Sequence, residues 1–191
     1  MIEYIAGSSF ITILVLMVLS VYFIVTFWVF IDRFKLLRNR INIEASSLKS
    51  LYKGLANSSS ENSIFSVYIK QISSPTATIL EIAASDAVRL ATKNLTLLSI
   101  IASTSPFIGL FGTVFGILET FSKLANQNSA ALNVVAPAIS EALVATAAGI
   151  LVAIFAYSFH LILKRQAYEL SSLLTSQSKM LFSKLETPLK V

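Results

Sequence analysis

Three long apolar blocks, separated by polar segments, dominate the pattern along the chain. They cover residues 4–31, 94–118 and 134–163, and the third of them contains one charged side chain, Glu141. A helix that crosses a bilayer needs about 20 mostly apolar residues. We therefore predict three transmembrane helices, at about residues 9–31, 94–120 and 134–163.

The polar segments next to these spans have helical patterns of their own. Residues 76–93 carry apolar side chains at roughly helical spacing. Neither glycine nor proline separates them from the second span, so we expect one continuous helix that enters the membrane. Residues 164–187 extend the third span in the same way, whereas the Ser- and Asn-rich stretch at 55–74 predicts a loop. The segment at 33–93 is too short for a large core of its own, so we expect a single domain, residues 1–191, of the all-α membrane class with long helical extensions.

Basic residues are distributed very unevenly over the chain. Nine Lys and Arg residues lie in the segment at 33–93, five follow the third span, one lies between the second and third spans, and none precedes the first. Basic residues accumulate on the cytoplasmic side of a membrane. The pattern predicts an N-terminus outside and a C-terminus in the cytoplasm. The net charge of +5 then reflects orientation, and no nucleic acid is expected as a partner.

Composition excludes several kinds of site. The chain has no cysteine and one histidine, so disulfides, zinc–thiolate sites and iron–sulfur clusters are excluded. The motifs HExxH and GxSxG are absent, and no span carries a pair of carboxylates. We therefore expect neither an enzyme nor a cofactor or metal site.

The second and third spans each carry a face of small side chains when placed on a helical wheel. In the second span this face holds Ser105, Gly109, Gly112, Thr113, Gly116 and Thr120. In the third span it holds Ala138, Glu141, Ala142, Ala145, Ala148, Gly149 and Val152, with Thr146 on its border. Small residues let membrane helices approach closely, so packing alone is one explanation of the glycines and alanines. The threonine hydroxyls, in turn, can bond to carbonyls of their own helix.

Glu141 is the one ionisable residue within the uncharged cores of the three spans. A carboxylate at the centre of a span costs roughly 2.5–3.5 kcal/mol on insertion scales, and such residues mark ion or proton pathways. The alternative is an interfacial glutamate near Pro137, held at a helix start by the helix dipole. The position of Glu141 within the small face favours the pathway.

Two motifs resemble signatures of the MotA/TolQ/ExbB proton channel family. The sequence STSPFIGLFGTVFGI at residues 103–117 resembles the second-span signature, and VAPAISEALVATAAG at residues 135–149 resembles the third-span signature. The two motifs occur in the family's order with a short turn between them. Glutamate at position 141 resembles the TolQ/ExbB branch, because the MotA branch typically has no carboxylate there.

This resemblance implies a ring-shaped homopentamer in the bacterial inner membrane, whose second and third helices line a central pore. The pore would hold the single-span helices of a TolR/ExbD-type partner, usually two copies, each with an Asp that binds protons from the periplasm. Proton flow would then energise a TolA/TonB-type protein that spans the periplasm. Carried over by position, Glu141, Thr113 and Thr146 would line the pore along the proton pathway.

The same resemblance assigns the small residues to packing against the partner helices. These residues are Gly109, Gly112, Gly116, Ala138, Ala142, Ala145 and Gly149. Two other functions stay open from the sequence: a non-conducting membrane scaffold, and a MotA-like stator of another motility or transport system.

Overall fold

The computed structural model describes residues 10–53, 63–66, 76–125 and 132–186, and this part of the chain contains four α-helices. They are α1 (Phe10–Tyr52), α2 (Ala77–Ala91), α3 (Leu95–Ala125) and α4 (Leu132–Glu186). Three of them, α1, α3 and α4, are long and apolar enough to cross a membrane. The prediction of an all-α chain with three spans is confirmed.

Two of the spanning helices are much longer than a bilayer is thick. The 43 residues of α1 extend over about 64 Å, and the 55 residues of α4 over about 82 Å, at 1.5 Å per residue. The hydrocarbon core measures about 30 Å. Both helices therefore continue past the membrane, as the sequence pattern of residues 164–187 predicts for α4. The predicted ends at residues 9 and 187, and most of the predicted loop at 55–74, lie outside the described residues.

A break between α2 and α3 replaces the continuous helix that we predict from the sequence. Asn94 has a φ of +72°, in the left-handed region that ends many helices. The N–H of Thr92 donates to the carbonyl of Val88 at 2.9 Å, which closes the last turn of α2. Asn tolerates this conformation better than most residues because its short polar side chain bonds locally. The prediction of a continuous helix is wrong. It rested on the absence of glycine and proline, whereas the break occurs at an asparagine.

The chain divides into two compact units. The first unit consists of the described residues of Met1–Val29 and Thr96–His160. Its core is a cluster of buried side chains from α1, α3 and α4: Val15, Leu19, Ile101, Ala145, Val152 and Ala156. Aromatic rings extend this core, since Phe27 of α1 lies 5.6 Å from Phe155 and 5.1 Å from Phe159 of α4, measured between ring centroids.

The second unit consists of the described residues of Phe30–Leu95 and Leu161–Val191, and a buried polar network holds it together. Glu44, Ser63 and Gln177 are all fully buried. One carboxyl oxygen of Glu44 accepts hydrogen bonds from the Ser63 hydroxyl at 2.8 Å and the Gln177 amide at 3.0 Å. The other accepts the backbone N–H of Ile64 at 2.9 Å. Because buried polar groups need partners, these bonds fasten residues 63–66 to α1 and α4.

Candidate proton pathway

Two glycines bring the backbones of α3 and α4 into contact in the first unit. A Cβ atom at Gly109 would lie 2.7 Å from the carbonyl oxygen of Ala145, and one at Gly149 would lie 2.6 Å from the carbonyl oxygen of Ser105. Real Cβ atoms do not approach backbone atoms this closely. Only glycine fits at these two positions, so Gly109 and Gly149 set the distance between the helices. We call this contact the α3–α4 seam.

The other two glycines of α3 face both α4 and α1. A Cβ atom at Gly112 would meet Cγ1 of Val15 at 3.0 Å and Cβ of Ala145 at 3.1 Å. At Gly116 the nearest atoms are Cβ of Ala142 at 3.2 Å and Oγ1 of Thr12 at 3.5 Å. Thr12 is not among the candidate residues identified from the sequence, although its hydroxyl is recognisable at the start of the first predicted span.

Most of the small residues assigned to partner packing thus make contacts within the single chain. Ala142 and Ala145 are 1% and 0% exposed in the α3–α4 seam, whereas Ala138 is half-buried. The packing interpretation of the glycines and alanines therefore has direct support in the fold. Contact between these faces and a partner helix stays a prediction.

Two threonines form the polar centre of the α3–α4 seam. The hydroxyls of Thr113 and Thr146 hydrogen-bond to each other across it. Thr113 also lies 3.0 Å from the carbonyl oxygen of Ala142, and Thr146 lies 3.2 Å from that of Gly109. Each hydroxyl has one proton and two lone pairs. Each threonine hydroxyl can therefore donate its proton either to the other hydroxyl or to a carbonyl oxygen. A site that switches between these two arrangements can pass a proton or hold a water molecule.

Bonding within one helix does not account for these two hydroxyls. The contact from Thr113 to its own helix, to the carbonyl oxygen of Gly109, is 3.4 Å and longer than its contact to Ala142. By contrast, Thr104 and Thr120 of the same helix bond to carbonyls of their own helix at 2.8 Å. The threonine pair therefore differs from its neighbours in joining two helices.

Glu141 lies on a different side of α4 from Thr146. Five residues separate them, which places their side chains about 140° apart around the helix. Steps of seven residues, which return to nearly the same side of a helix, lead from Glu141 to Ala148 and Phe155. Phe155 contacts Phe27 of α1, and on an ideal helix Glu141 lies within about 40° of the direction of Phe155.

One carboxyl oxygen of Glu141, Oε1, is buried and has no hydrogen-bond partner among the described residues. A buried acceptor without a donor costs about 1–3 kcal/mol. The structure thus brings Thr113 and Thr146 together, and no hydrogen bond among the described residues joins Oε1 of Glu141 to them. Their shared position along a pore stays a prediction. Among the residues that the structure describes, no cluster of three or more His, Cys, Asp or Glu residues could hold a metal ion.

Comparison with known proteins assigns the chain to a family. A family model described as the MotA/TolQ/ExbB proton channel family matches residues 45–176, which is more than half of the chain. The chain belongs to the MotA/TolQ/ExbB proton channel family. The resemblance of the motifs at residues 103–117 and 135–149 is thereby confirmed.

Relatives within the MotA/TolQ/ExbB family carry both ExbB and TolQ names. The ExbB-like 1 biopolymer transport protein of Helicobacter pylori is 43% identical over 181 residues, which cover 93% of this chain and 94% of that protein. The Tol-Pal system protein TolQ of Haemophilus influenzae is 32% identical over 174 residues, or 77% of this chain and 76% of the relative. The biopolymer transport protein ExbB of Salmonella typhimurium is 49% identical over 69 residues, which cover 36% and 28% of the two chains.

Membership of the MotA/TolQ/ExbB family establishes the broad character of the chain. It is a multi-pass protein of the inner membrane, and it is a membrane subunit of the Tol/Ton energising type. Members of this family are channel proteins, so the prediction that the chain is not an enzyme is confirmed.

Proposed function

We propose that the chain is the ring-forming subunit of a motor of TolQ/ExbB type that the proton-motive force drives. Five copies surround a pore lined by α3 and α4, and the pore holds the helices of two single-span partners of TolR/ExbD type. Proton flow through this assembly energises a TolA/TonB-type protein that spans the periplasm. Following the distribution of Lys and Arg, the N-terminus lies in the periplasm and the C-terminus in the cytoplasm.

The threonine pair is the observation that carries this proposal. Two hydroxyls and two carbonyl oxygens meet at Thr113 and Thr146, beside a cluster of buried apolar side chains. Hydroxyl groups that both donate and accept can relay a proton to a carboxylate placed within hydrogen-bond distance. The uncharged cores of the spans supply one carboxyl group, at Glu141. The principal proton acceptor beside the threonine pair therefore belongs to the partner helix.

Glu141 acts earlier on the same route. It precedes Thr146 by five residues, so it lies about 7.5 Å closer to the periplasmic end of α4 in the proposed orientation. Its buried oxygen Oε1 has no donor among the described residues. We propose that Glu141 takes up a proton before the proton reaches the threonine pair.

A non-conducting scaffold is the second candidate function, and one observation favours it. The seam residues Gly109, Gly149, Ala142 and Ala145 are already used in packing within the chain. A scaffold needs no more than this packing. A MotA-like stator is less favoured, because the carboxyl group at position 141 is typical of the TolQ/ExbB branch.

Substitution of Glu141 distinguishes the motor from the scaffold. The chain would be co-expressed with a single-span, Asp-bearing partner, and native mass spectrometry would give the number of copies of each. We expect Glu141→Ala to assemble like the wild type and to lose energy-dependent activity, while the control Glu119→Gln, which changes a carboxyl group near the end of α3, keeps it. Full activity of Glu141→Ala in an intact assembly would favour the scaffold instead.

A further inference from the structure

A groove runs between α3 and α4 on the surface of the first unit. It has a volume of about 420 Å³. Three residues of each helix line it: Ser99, Ala102, Ser103, Ala153, Ile154 and Tyr157. We call it the exit groove. It is separate from the α3–α4 seam, and no residue of the seam lines it.

The lining of the exit groove is mostly apolar, with a few polar groups that can hold water. Pro106 lies inside α3 and has no N–H, so the carbonyl of Ala102, four residues earlier, lacks its helical donor. That carbonyl belongs to a residue that lines the groove. On the opposite wall, Tyr157 is 58% exposed, and its phenol both donates and accepts hydrogen bonds. A water molecule occupies about 30 Å³ in the liquid, so the groove has room for on the order of ten.

The exit groove lies in line with the threonine pair. Eleven residues separate Ala102 from Thr113 in α3, and eleven separate Thr146 from Tyr157 in α4. Eleven residues make three turns to within about 20° and extend over about 16 Å. Both walls of the groove are therefore on the same flank as the threonine pair, three turns further toward the cytoplasm in the proposed orientation.

We infer that the exit groove is a hydrated site that receives protons after the Thr113–Thr146 pair and delivers them to the cytoplasm. The inference rests on the proposed function, because a pore is what exposes this flank to water. The carbonyl of Ala102 and the phenol of Tyr157 anchor the first water molecules. An arriving proton forms an O–H bond to one water, which releases another proton to the next water, so no charge stays on the protein.

Accessibility to a charged reagent tests whether the exit groove holds water. The chain has no cysteine, so single cysteines can be introduced without a background. Ser103→Cys lies in the groove. Thr104→Cys is the matched control, because its hydroxyl, like that of Ser103, contacts the carbonyl of Ile100 while its side chain lies outside the groove at nearly the same depth.

The labelling reagent is a membrane-impermeant, charged methanethiosulfonate added to inverted vesicles that contain the chain and its partner. We expect Ser103→Cys to react at least about tenfold faster than Thr104→Cys, because the reactive thiolate forms in water and not in lipid. Equal rates would overturn the inference. Reaction of Ser103→Cys with an uncharged maleimide alone would also overturn it, since lipid would then fill the groove.

Proton flux gives the second readout. Tyr157→Phe removes only the phenol oxygen and is expected to lower flux several-fold, whereas Tyr168→Phe, which changes an exposed tyrosine of the second unit, leaves it unchanged. If loss of the threonine hydroxyls stops flux but Tyr157→Phe does not alter it, the inference that protons leave through the exit groove is wrong. The proposed function then stands. If neither change alters flux, the proposed function itself fails, while the labelling result is unaffected.

Discussion

Gly109→Ala is expected to separate α3 from α4. The new methyl group would lie 2.7 Å from the carbonyl oxygen of Ala145 and 3.0 Å from Cα of Thr146, where ordinary contacts begin at 3.4 Å. Both atoms belong to backbone and cannot rotate away. Overpacking of this kind costs about 1–3 kcal/mol. Lengthening of the 3.0 Å contact between Thr113 and Ala142 adds about 1 kcal/mol, and the higher helix propensity of alanine returns about 1 kcal/mol.

The net destabilisation is therefore about 2 kcal/mol, which lowers the Tm of a chain of this length by about 4–8 °C. Thermal unfolding of the purified protein in detergent, followed by circular dichroism, measures it. Gly116→Ala is the matched control, because its nearest neighbours are the side-chain atoms Cβ of Ala142 at 3.2 Å and Oγ1 of Thr12 at 3.5 Å. We expect it to stay within about 1 kcal/mol of the wild type. A Gly109→Ala protein as stable as Gly116→Ala would refute the close backbone contact.

Three further outcomes follow from named contacts. Gly149→Ala should match Gly109→Ala in the same unfolding assay, because its methyl group would meet a backbone oxygen at 2.6 Å. Glu44→Ala should lower the free energy of unfolding by about 3 kcal/mol, since the buried Ser63 hydroxyl and the Ile64 N–H lose their carboxylate acceptor and the Gln177 amide keeps only its bond to the backbone carbonyl at position 44, while Glu81→Ala at an exposed position should change little. Asn94→Ala should cost about 1–2 kcal/mol and Asn94→Gly should not, because φ is +72° there; equal stability of the two variants would argue against the left-handed turn.

The sequence predicts the helices well because lipid imposes simple rules on them. Length and the absence of charge define the three spans, and the structure contains an apolar helix at each. Periodicity also groups the small residues of α3 correctly, since Gly109, Gly112 and Gly116 all face neighbouring helices. Both results depend on local pattern alone.

Features that depend on which helix covers which face are not predictable from that pattern. Periodicity places Thr146 only on the border of the small face of α4, and it does not show that the Thr146 hydroxyl meets Thr113 of α3. The sequence pattern does not single out Glu44, because its buried partners Ser63 and Gln177 are distant in sequence. The break at Asn94 depends on one backbone angle.

Proton flux through variants that lack the threonine hydroxyls tests the central claim most directly. The chain and its partner would be reconstituted in liposomes with a pH-sensitive dye inside and an imposed proton gradient. Valine has the shape of threonine without the hydroxyl, so Thr113→Val combined with Thr146→Val removes only the polar pair. The matched control combines Thr104→Val with Thr120→Val, whose hydroxyls bond within their own helix at 2.8 Å.

We predict that the Thr113→Val/Thr146→Val protein assembles normally and loses at least about 100-fold in flux, the lower end of what a positioned proton-transfer group contributes. The control should conduct like the wild type. Equal flux through both double variants would contradict a proton pathway through the threonine pair.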